Sequence, residues 1–257
     1  MTLLKANGLT RRYRLPRTTL LGAAPVLTAV DDVSFEIAAG QTLGVVGESG
    51  SGKSTLARMV MAFEAPDLGN VLFEGQDIHA LRAFELRGLR PDFQMIFQDP
   101  FSSLDPRRKV GWSIAEPLRA MGIAAPDQVA DAFAQVGLHP DDGDKYPHEF
   151  SGGQRQRIAI ARAIITRPKL LVADEAVSAL DVSVQAQILN LLMDLQDALG
   201  LGILFISHDL AVVASICDTV LVMQHGKALE YGTAADILNN PGHSYTRSLL
   251  TAAGDEV

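Results

Sequence analysis

The strongest chemical signal in the chain is the run Gly47-Glu48-Ser49-Gly50-Ser51-Gly52-Lys53-Ser54-Thr55. It fits Gly-x-x-x-x-Gly-Lys-Ser/Thr, the spacing of a phosphate-binding loop. Glycines let the backbone curl so that successive N–H groups point inward at phosphate oxygens. Lys53 adds a mobile positive charge for the outer phosphates, and the Ser54 hydroxyl can ligate Mg²⁺. Such a loop opens a helix, whose positive N-terminal end also favours an anion. A chance glycine-rich turn is the plain alternative, but residues 42–46 read as a buried strand before the loop and 56–62 as a helix after it. The loop implies binding of a nucleoside triphosphate without saying for what purpose.

Two further stretches carry chemistry. Leu170-Leu171-Val172-Ala173-Asp174-Glu175 ends a buried apolar strand in two carboxylates, at the strand end where ligands bind in open α/β sheets. Asp174 would hold Mg²⁺ through water, and Glu175 is placed to polarise a water for attack on a γ-phosphate. A polar strand-to-loop transition is the other reading, and the phosphate loop upstream decides against it. Ser151-Gly152-Gly153-Gln154-Arg155-Gln156-Arg157 puts a hydroxyl residue and two glycines at a helix N-terminus, with Arg155 and Arg157 as nearby positive charge.

The elements that must position these residues alternate between strands and helices. Residues 33–37, 71–73, 93–97, 203–206 and 220–223 read as strands, and 18–30, with Pro16 before it and Pro25 within it, as a loop. A turn is expected at 67–70. Helices are expected over 127–136, capped by Asp127, over 154–166, and over 184–199, closed by Gly200. Prolines punctuate 99–150, which reads as a helical insertion. The expected fold class is α/β, with a mainly parallel core sheet covered on both faces. There is no internal repeat and no low-complexity tract.

Composition narrows the function classes. The 257 residues are 47% hydrophobic and 20% charged, ordinary for a globular protein, and their net charge of −8 argues against a nucleic-acid partner. Cys217 is the only cysteine, so an internal disulfide or a cysteine-only metal cluster is excluded, and its apolar setting suits a buried inert thiol. No apolar run approaches the roughly 20 residues of a transmembrane helix. The first residues lack a signal peptide's apolar region and cleavage site, so a cytoplasmic chain that does not span the membrane is expected.

With these motifs in order, the chain resembles the ABC ATPase family over nearly all of its length. Residues 151–154 match the signature Ser-Gly-Gly-Gln. Gln98 matches the Q-loop glutamine, Ser178-Ala179-Leu180-Asp181 the D-loop, and Ile206-Ser207-His208-Asp209 the switch-histidine motif. Tyr13 falls where the family places an aromatic ring on adenine; it could equally cover the core. The resemblance implies an ABC-type phosphate-loop fold: a core of 1–98 and 154–240 with an N-terminal antiparallel β subdomain, a helical subdomain of 99–153, and a C-terminal helix over 241–257. It implies that Ser54, Gln98 and Asp174 organise Mg²⁺, and that Glu175 is general base or water-positioner. His208 would contact the γ-phosphate and Glu175. Ser151, Gly152, Gly153, Gln154 and Asp181 would face ATP held by loop 47–55 of a second ATPase chain. One loop and one signature in this chain are consistent with a closed site that needs that second chain, in a heterodimer or, in isolation, a homodimer.

Gln98-Asp99-Pro100-Phe101-Ser102-Ser103-Leu104-Asp105-Pro106-Arg107, the run Tyr146-Pro147-His148-Glu149-Phe150, and Pro241 to Leu250 look like the ATPases of peptide and nickel importers, in particular their second, shorter ATPase. That branch implies two membrane permease subunits, an external solute-binding protein, and a peripheral position on the cytoplasmic face of the bacterial inner membrane. Ala176 stands where the branch often has Pro, a variant that also occurs in nickel-type ATPases. Residues 99–121 are expected to receive a helix of the membrane subunit. Phe101 and Trp112 suit such a groove, although Trp112 could equally be core. The cysteine-rich extension of many peptide-importer ATPases is missing, so no iron–sulfur cluster is expected. The rival reading is a nucleotide-binding subunit that dimerises without hydrolysis.

Overall fold

A computed structural model describes residues 2–16, 24–99, 103–124 and 126–254. The strands are β1 (Thr2–Arg14), β2 (Val26–Ala38), β3 (Thr42–Val46), β4 (Leu68–Phe73), β5 (Gln76–Asp77), β6 (Phe93–Ile96), β7 (Leu170–Asp174), β8 (Gly202–Ser207), β9 (Thr219–Gln224) and β10 (Lys227–Thr233). The helices are α1 (Lys53–Val60), α2 (Ala83–Leu89), α3 (Val110–Ile114), α4 (Glu116–Ala120), α5 (Pro126–Gln135), α6 (Gly152–Ile164), α7 (Val182–Leu199), α8 (Leu210–Ile216), α9 (Ala234–Asn239) and α10 (Ser244–Gly254). They form two compact units, one of residues 1–83 with 204–257 and one of residues 84–203.

The first unit holds an antiparallel sheet in the order β2-β1-β4-β5 and, in a second sheet, the strand order β10-β9-β3-β8. Strand β3 runs parallel to β9, with Val45 opposite Leu221, and β10 returns antiparallel to β9. All five residues of β3 are buried, which is why it reads as a continuous apolar run rather than an alternating one. Gly44 in that strand lets α8 approach closely: a Cβ there would lie 2.2 Å from Val213 Cγ1 and 2.8 Å from Cys217 Sγ. The strand that leads into the phosphate loop is therefore braced by a tightly packed helix.

The second unit pairs β6 and β7 in parallel, Met95 opposite Val172, and carries α3 to α7. Four of the five β7 residues are buried and the last, Asp174, is half-buried, so the strand delivers its carboxylates at the edge of the core.

Several boundaries differ from the sequence reading. Val26 to Val30, expected as loop, is the start of β2, because β1 and β2 form a long ladder that pairs Arg14 with Val26. Residues 18–23 of that expected loop lie outside the described residues. The expected turn at 67–70 is largely strand β4: Gly69, at φ 86°, absorbs a bulge opposite Asn7 and Gly8 in β1. Asp127 lies in the first turn of α5 rather than capping it, since Pro126 itself starts the helix. Helix α6 begins at Gly152, two residues earlier than expected, because Ser151 caps it. In the strands read over 71–73, 93–97, 203–206 and 220–223, the ladders end within a few residues of those bounds.

Candidate nucleotide-binding site

Loop 47–55 is held in shape by its neighbours in the first unit. Two of its glycines are required by close approach as well as by backbone angle. At Gly47 (φ 154°) a Cβ would lie 2.1 Å from the Met223 carbonyl oxygen; at Gly52 (φ 107°) it would lie 2.2 Å from that of Ala29. The Gly226 N–H donates to the Ser51 carbonyl at 3.0 Å, and the Ser51 N–H donates to the Glu48 carbonyl at 3.1 Å. Lys53 is only 4% exposed; its ammonium donates to the carbonyls of Gly47 at 2.6 Å and Glu48 at 2.9 Å, lying along the inside of the loop. Gly52 caps α1, eight residues long, without a side-chain hydrogen bond. Ser49, Gly50 and Ser54 are exposed and Thr55 is half-buried in the first turn. This donor set fits a polyphosphate: glycine-shaped backbone, a helix start and one ammonium, with the Ser54 hydroxyl as a hard oxygen ligand for Mg²⁺.

Tyr13 and His208 belong to the same unit. Tyr13 is half-buried on β1; its hydroxyl donates to Glu64, and the Arg11 guanidinium lies 5.1 Å from its ring centroid. His208 is exposed immediately after β8, and the next residue, Asp209, caps α8 by accepting from the N–H groups of Ala211 (2.8 Å) and Val212 (3.2 Å). The switch motif is thus a strand end, an exposed imidazole and a helix cap in three consecutive positions.

The second unit holds the other sequence-predicted residues. Glu175 follows β7 in a left-handed backbone (φ 49°), a conformation that costs a non-glycine residue of order 1 kcal/mol and is found at functional sites. The Ser178 N–H (3.2 Å) and hydroxyl (3.0 Å) both donate to the Glu175 carbonyl and close the turn. The Gln98 amide donates to the Glu175 carboxylate at 2.7 Å. The structure therefore brings the Q-loop glutamine and the acidic residue after Asp174 into direct contact.

Ser151 and Gln154 form a reciprocal cap: the Gln154 N–H donates to the Ser151 hydroxyl at 3.3 Å, and the Ser151 N–H donates to the Gln154 side-chain oxygen at 2.9 Å. Gly152 is exposed, and Gly153 sits against α7, where a Cβ would lie 2.5 Å from Val184 Cγ1. Arg155 and Arg157, expected as positive charge for phosphate, instead donate to the carbonyls of Pro147 (2.9 Å) and Val136 (2.6 Å), because the preceding turns leave those oxygens facing the guanidinium groups. Asp181 caps α7, accepting from the Val184 N–H at 3.0 Å and the Ser183 hydroxyl at 2.8 Å; those donors hold its carboxyl below the usual carboxylate range. Trp112 is 39% exposed between Arg119 and Arg108, whose guanidinium carbons lie 3.9 and 4.8 Å from its ring centroid, so it is not core. Phe101 lies outside the described residues.

Two residues escaped the sequence reading. Gln156 is 1% exposed, neither atom of its amide has a hydrogen-bond partner among the described residues, and it lines a cavity of about 170 Å³ with Gln98, Asp99, Gly152, Ala176 and Leu180. Its position inside the signature heptad was visible, but its burial was not. Tyr245 reaches loop 47–55 from α10; nothing local in the sequence signals that contact.

Comparison with known proteins follows the same lines. The family described as ABC transporter matches residues 30–178. A di/tripeptide transport ATP-binding protein, DppF, of Pseudomonas aeruginosa is 50% identical over 98% of this chain and 79% of its own length. The glutathione import ATP-binding protein GsiA of Salmonella paratyphi A is 50% identical over 97% of this chain, which spans only 41% of GsiA. Among solved structures, cbiO1 from Clostridium perfringens, part of the ABC transporter complex cbiONQ, superposes with a TM-score of 0.79 at 27% identity, covering 93% of this chain and 91% of that one. A dimeric ATP-binding cassette in a post-hydrolysis state bound to ADP and Pi superposes with a TM-score of 0.78 at 24% identity, over 90% and 98% of the two chains, a likeness of fold. The family model spans more than half of the chain and DppF is 50% identical over nearly all of it, so the chain that carries this strand-loop-helix, signature cap and Gln98–Glu175 pair belongs to the ABC transporter family.

Proposed function

We propose that this chain binds and hydrolyses ATP as the nucleotide-binding subunit of an importer for peptides. The observation that carries the hydrolytic reading is Glu175, fixed at the end of β7 by its left-handed backbone and by the Gln98 amide on its carboxylate. A carboxylate held in one orientation can accept a proton from a water aligned on the γ-phosphate. Gln98 orients that carboxylate. Lys53 and the N–H groups of loop 47–55 would hold the β- and γ-phosphates, His208 would contact the γ-phosphate, and Tyr13 would lie against adenine. Ser54, Gln98 and Asp174 would hold Mg²⁺, which offsets charge on the phosphates. No iron–sulfur cluster is part of this reading.

The domain organisation proposed is a single ABC ATPase domain. Ser151, Gly152, Gly153, Gln154 and Asp181 would meet the ATP of a second ATPase chain, so that ATP closes the pair and hydrolysis releases it. Two membrane permeases would receive that motion, fed by a solute-binding protein. No helix among the described residues is long and apolar enough to cross a membrane; the peripheral position proposed, on the cytoplasmic face, is supported by relatives named as ATP-binding proteins of transport and import. The peptide assignment is supported by relatives named for peptide transport or import, including a putative peptide import ATP-binding protein of Brucella ovis at 49% identity over 97% of this chain.

The test is Glu175→Gln in the assembled complex. We expect nucleotide binding to persist and hydrolysis to fall at least about 100-fold. Unchanged hydrolysis would remove Glu175 from the mechanism. A wild-type complex that binds ATP and never hydrolyses it would establish the rival, a subunit that only dimerises.

A further inference from the structure

The phosphate loop is tied to the far end of the chain. Tyr245, the second residue of α10, is 8% exposed, and its hydroxyl accepts the Glu48 N–H at 3.0 Å. The Glu48 carbonyl in turn accepts from the Lys53 ammonium at 2.9 Å and the Ser51 N–H at 3.1 Å. The peptide group between Gly47 and Glu48 therefore meets Tyr245 through its N–H and Lys53 through its Gly47 carbonyl at 2.6 Å, and the next carbonyl, that of Glu48, ties in the turn of the loop.

The start of α10 is itself anchored. Glu230 on β10 accepts the N–H groups of Gly242 and of His243, the latter at 2.9 Å. The Tyr245 N–H donates to His243 Nδ1 at 3.1 Å, and the Arg247 guanidinium donates to the carbonyls of Pro241 at 2.9 Å and Gly242 at 3.3 Å. Thr246 is fully buried beside Tyr245. Burial pushes the phenol of Tyr245 up, so the oxygen that faces the Glu48 N–H is that of a neutral hydroxyl at physiological pH. The neighbouring β9–β10 turn adds a second fixed point through the Gly226 N–H on Ser51.

We propose that Tyr245 is a positioning residue for the phosphate loop, so that docking of the C-terminal helix and occupancy of the loop by ATP stabilise each other. The proposal rests on the ATP-binding reading above. Reciprocity follows from linkage: if the docked helix tightens ATP binding by some factor, bound ATP favours the docked helix by the same factor.

The experiment compares wild type, Tyr245→Phe and Lys53→Ala, using the full chain and MgATP. Tyr245→Phe keeps the ring and removes the acceptor. One hydrogen bond corresponds to about a twofold to tenfold weaker Kd for MgATP. Amide exchange of residues 245–251 should slow on addition of MgATP in wild type, and much less in Tyr245→Phe or Lys53→Ala. A merely structural tyrosine would lower the unfolding midpoint while leaving the Kd and the ATP-dependent protection unchanged; that result overturns the proposal. A wild type that binds no MgATP overturns the ATP-binding reading and this proposal together, whereas equal binding by wild type and Tyr245→Phe overturns this proposal alone.

Discussion

At the scale of single residues, the candidate site works by fixing polar groups before a ligand arrives. Lys53 is packed along its own loop, Glu175 is clamped by Gln98, and Asp181 is committed to the first turn of α7. Asp181 gives a pH test. The Val184 N–H and the Ser183 hydroxyl hold its carboxyl below its unfolded value of about 3.9. A depressed carboxylate contributes stability that is fully present above the unfolded pKa and is lost as pH falls through the folded one. Asp181→Asn keeps an acceptor for the cap without the charge. The stability difference between wild type and this variant, followed by urea unfolding, should be constant from pH 7 to 5 and shrink below about pH 4. A difference that holds unchanged down to pH 2 would exclude the charged cap.

At the scale of elements, close backbone approach decides what each segment tolerates. Gly44 lets β3 and α8 touch, Gly153 lets α6 and α7 touch, and Gly47 and Gly52 let the phosphate loop rest on β9 and β2. Gly44→Ala would drive a methyl into Val213 and Cys217 and should cost about 1–3 kcal/mol in chemical denaturation. Adding Val213→Ala opens the space, so the double variant should be destabilised by less than the sum of the two single changes. Additive effects would show that the strand is not limited by that helix. The strands over 71–73, 93–97, 203–206 and 220–223 and the long helices α6 and α7 were legible from apolar runs, since their periodicities are local. The start of β2 and the strand across 68–70 were not, because pairing with β1 supplied hydrogen bonds that overrode Pro25 and Gly69. The reciprocal cap of Ser151 and Gln154 shows how much one short motif can do: its residue types suit phosphate chemistry and also start the helix that carries them.

At the scale of the whole molecule, a buried thiol checks the packing of the first unit. Cys217 lies 8% exposed behind β3, and burial pushes its thiol well above its usual range. The native protein should resist alkylation by iodoacetamide at pH 8, and should be labelled stoichiometrically once unfolded in urea. Rapid native labelling would mean that α8 does not stay packed on β3. The sequence by itself determined the family, the phosphate loop, the paired carboxylates and the signature, because each depends on residue types at fixed short spacing. Ala176 did not separate peptide from nickel transport, since the same residue type occurs in both kinds of ATPase. Only the tertiary structure decided that Gln98 meets Glu175, that Tyr245 meets Glu48, that Arg155 and Arg157 serve backbone carbonyls, and that Gln156 is buried against a cavity. Gln98 and Glu175 stand 77 residues apart, and Glu48 and Tyr245 stand 197 apart. Local periodicity reaches over a few turns of chain, so contacts at that range exist only once β-strands and helices have packed.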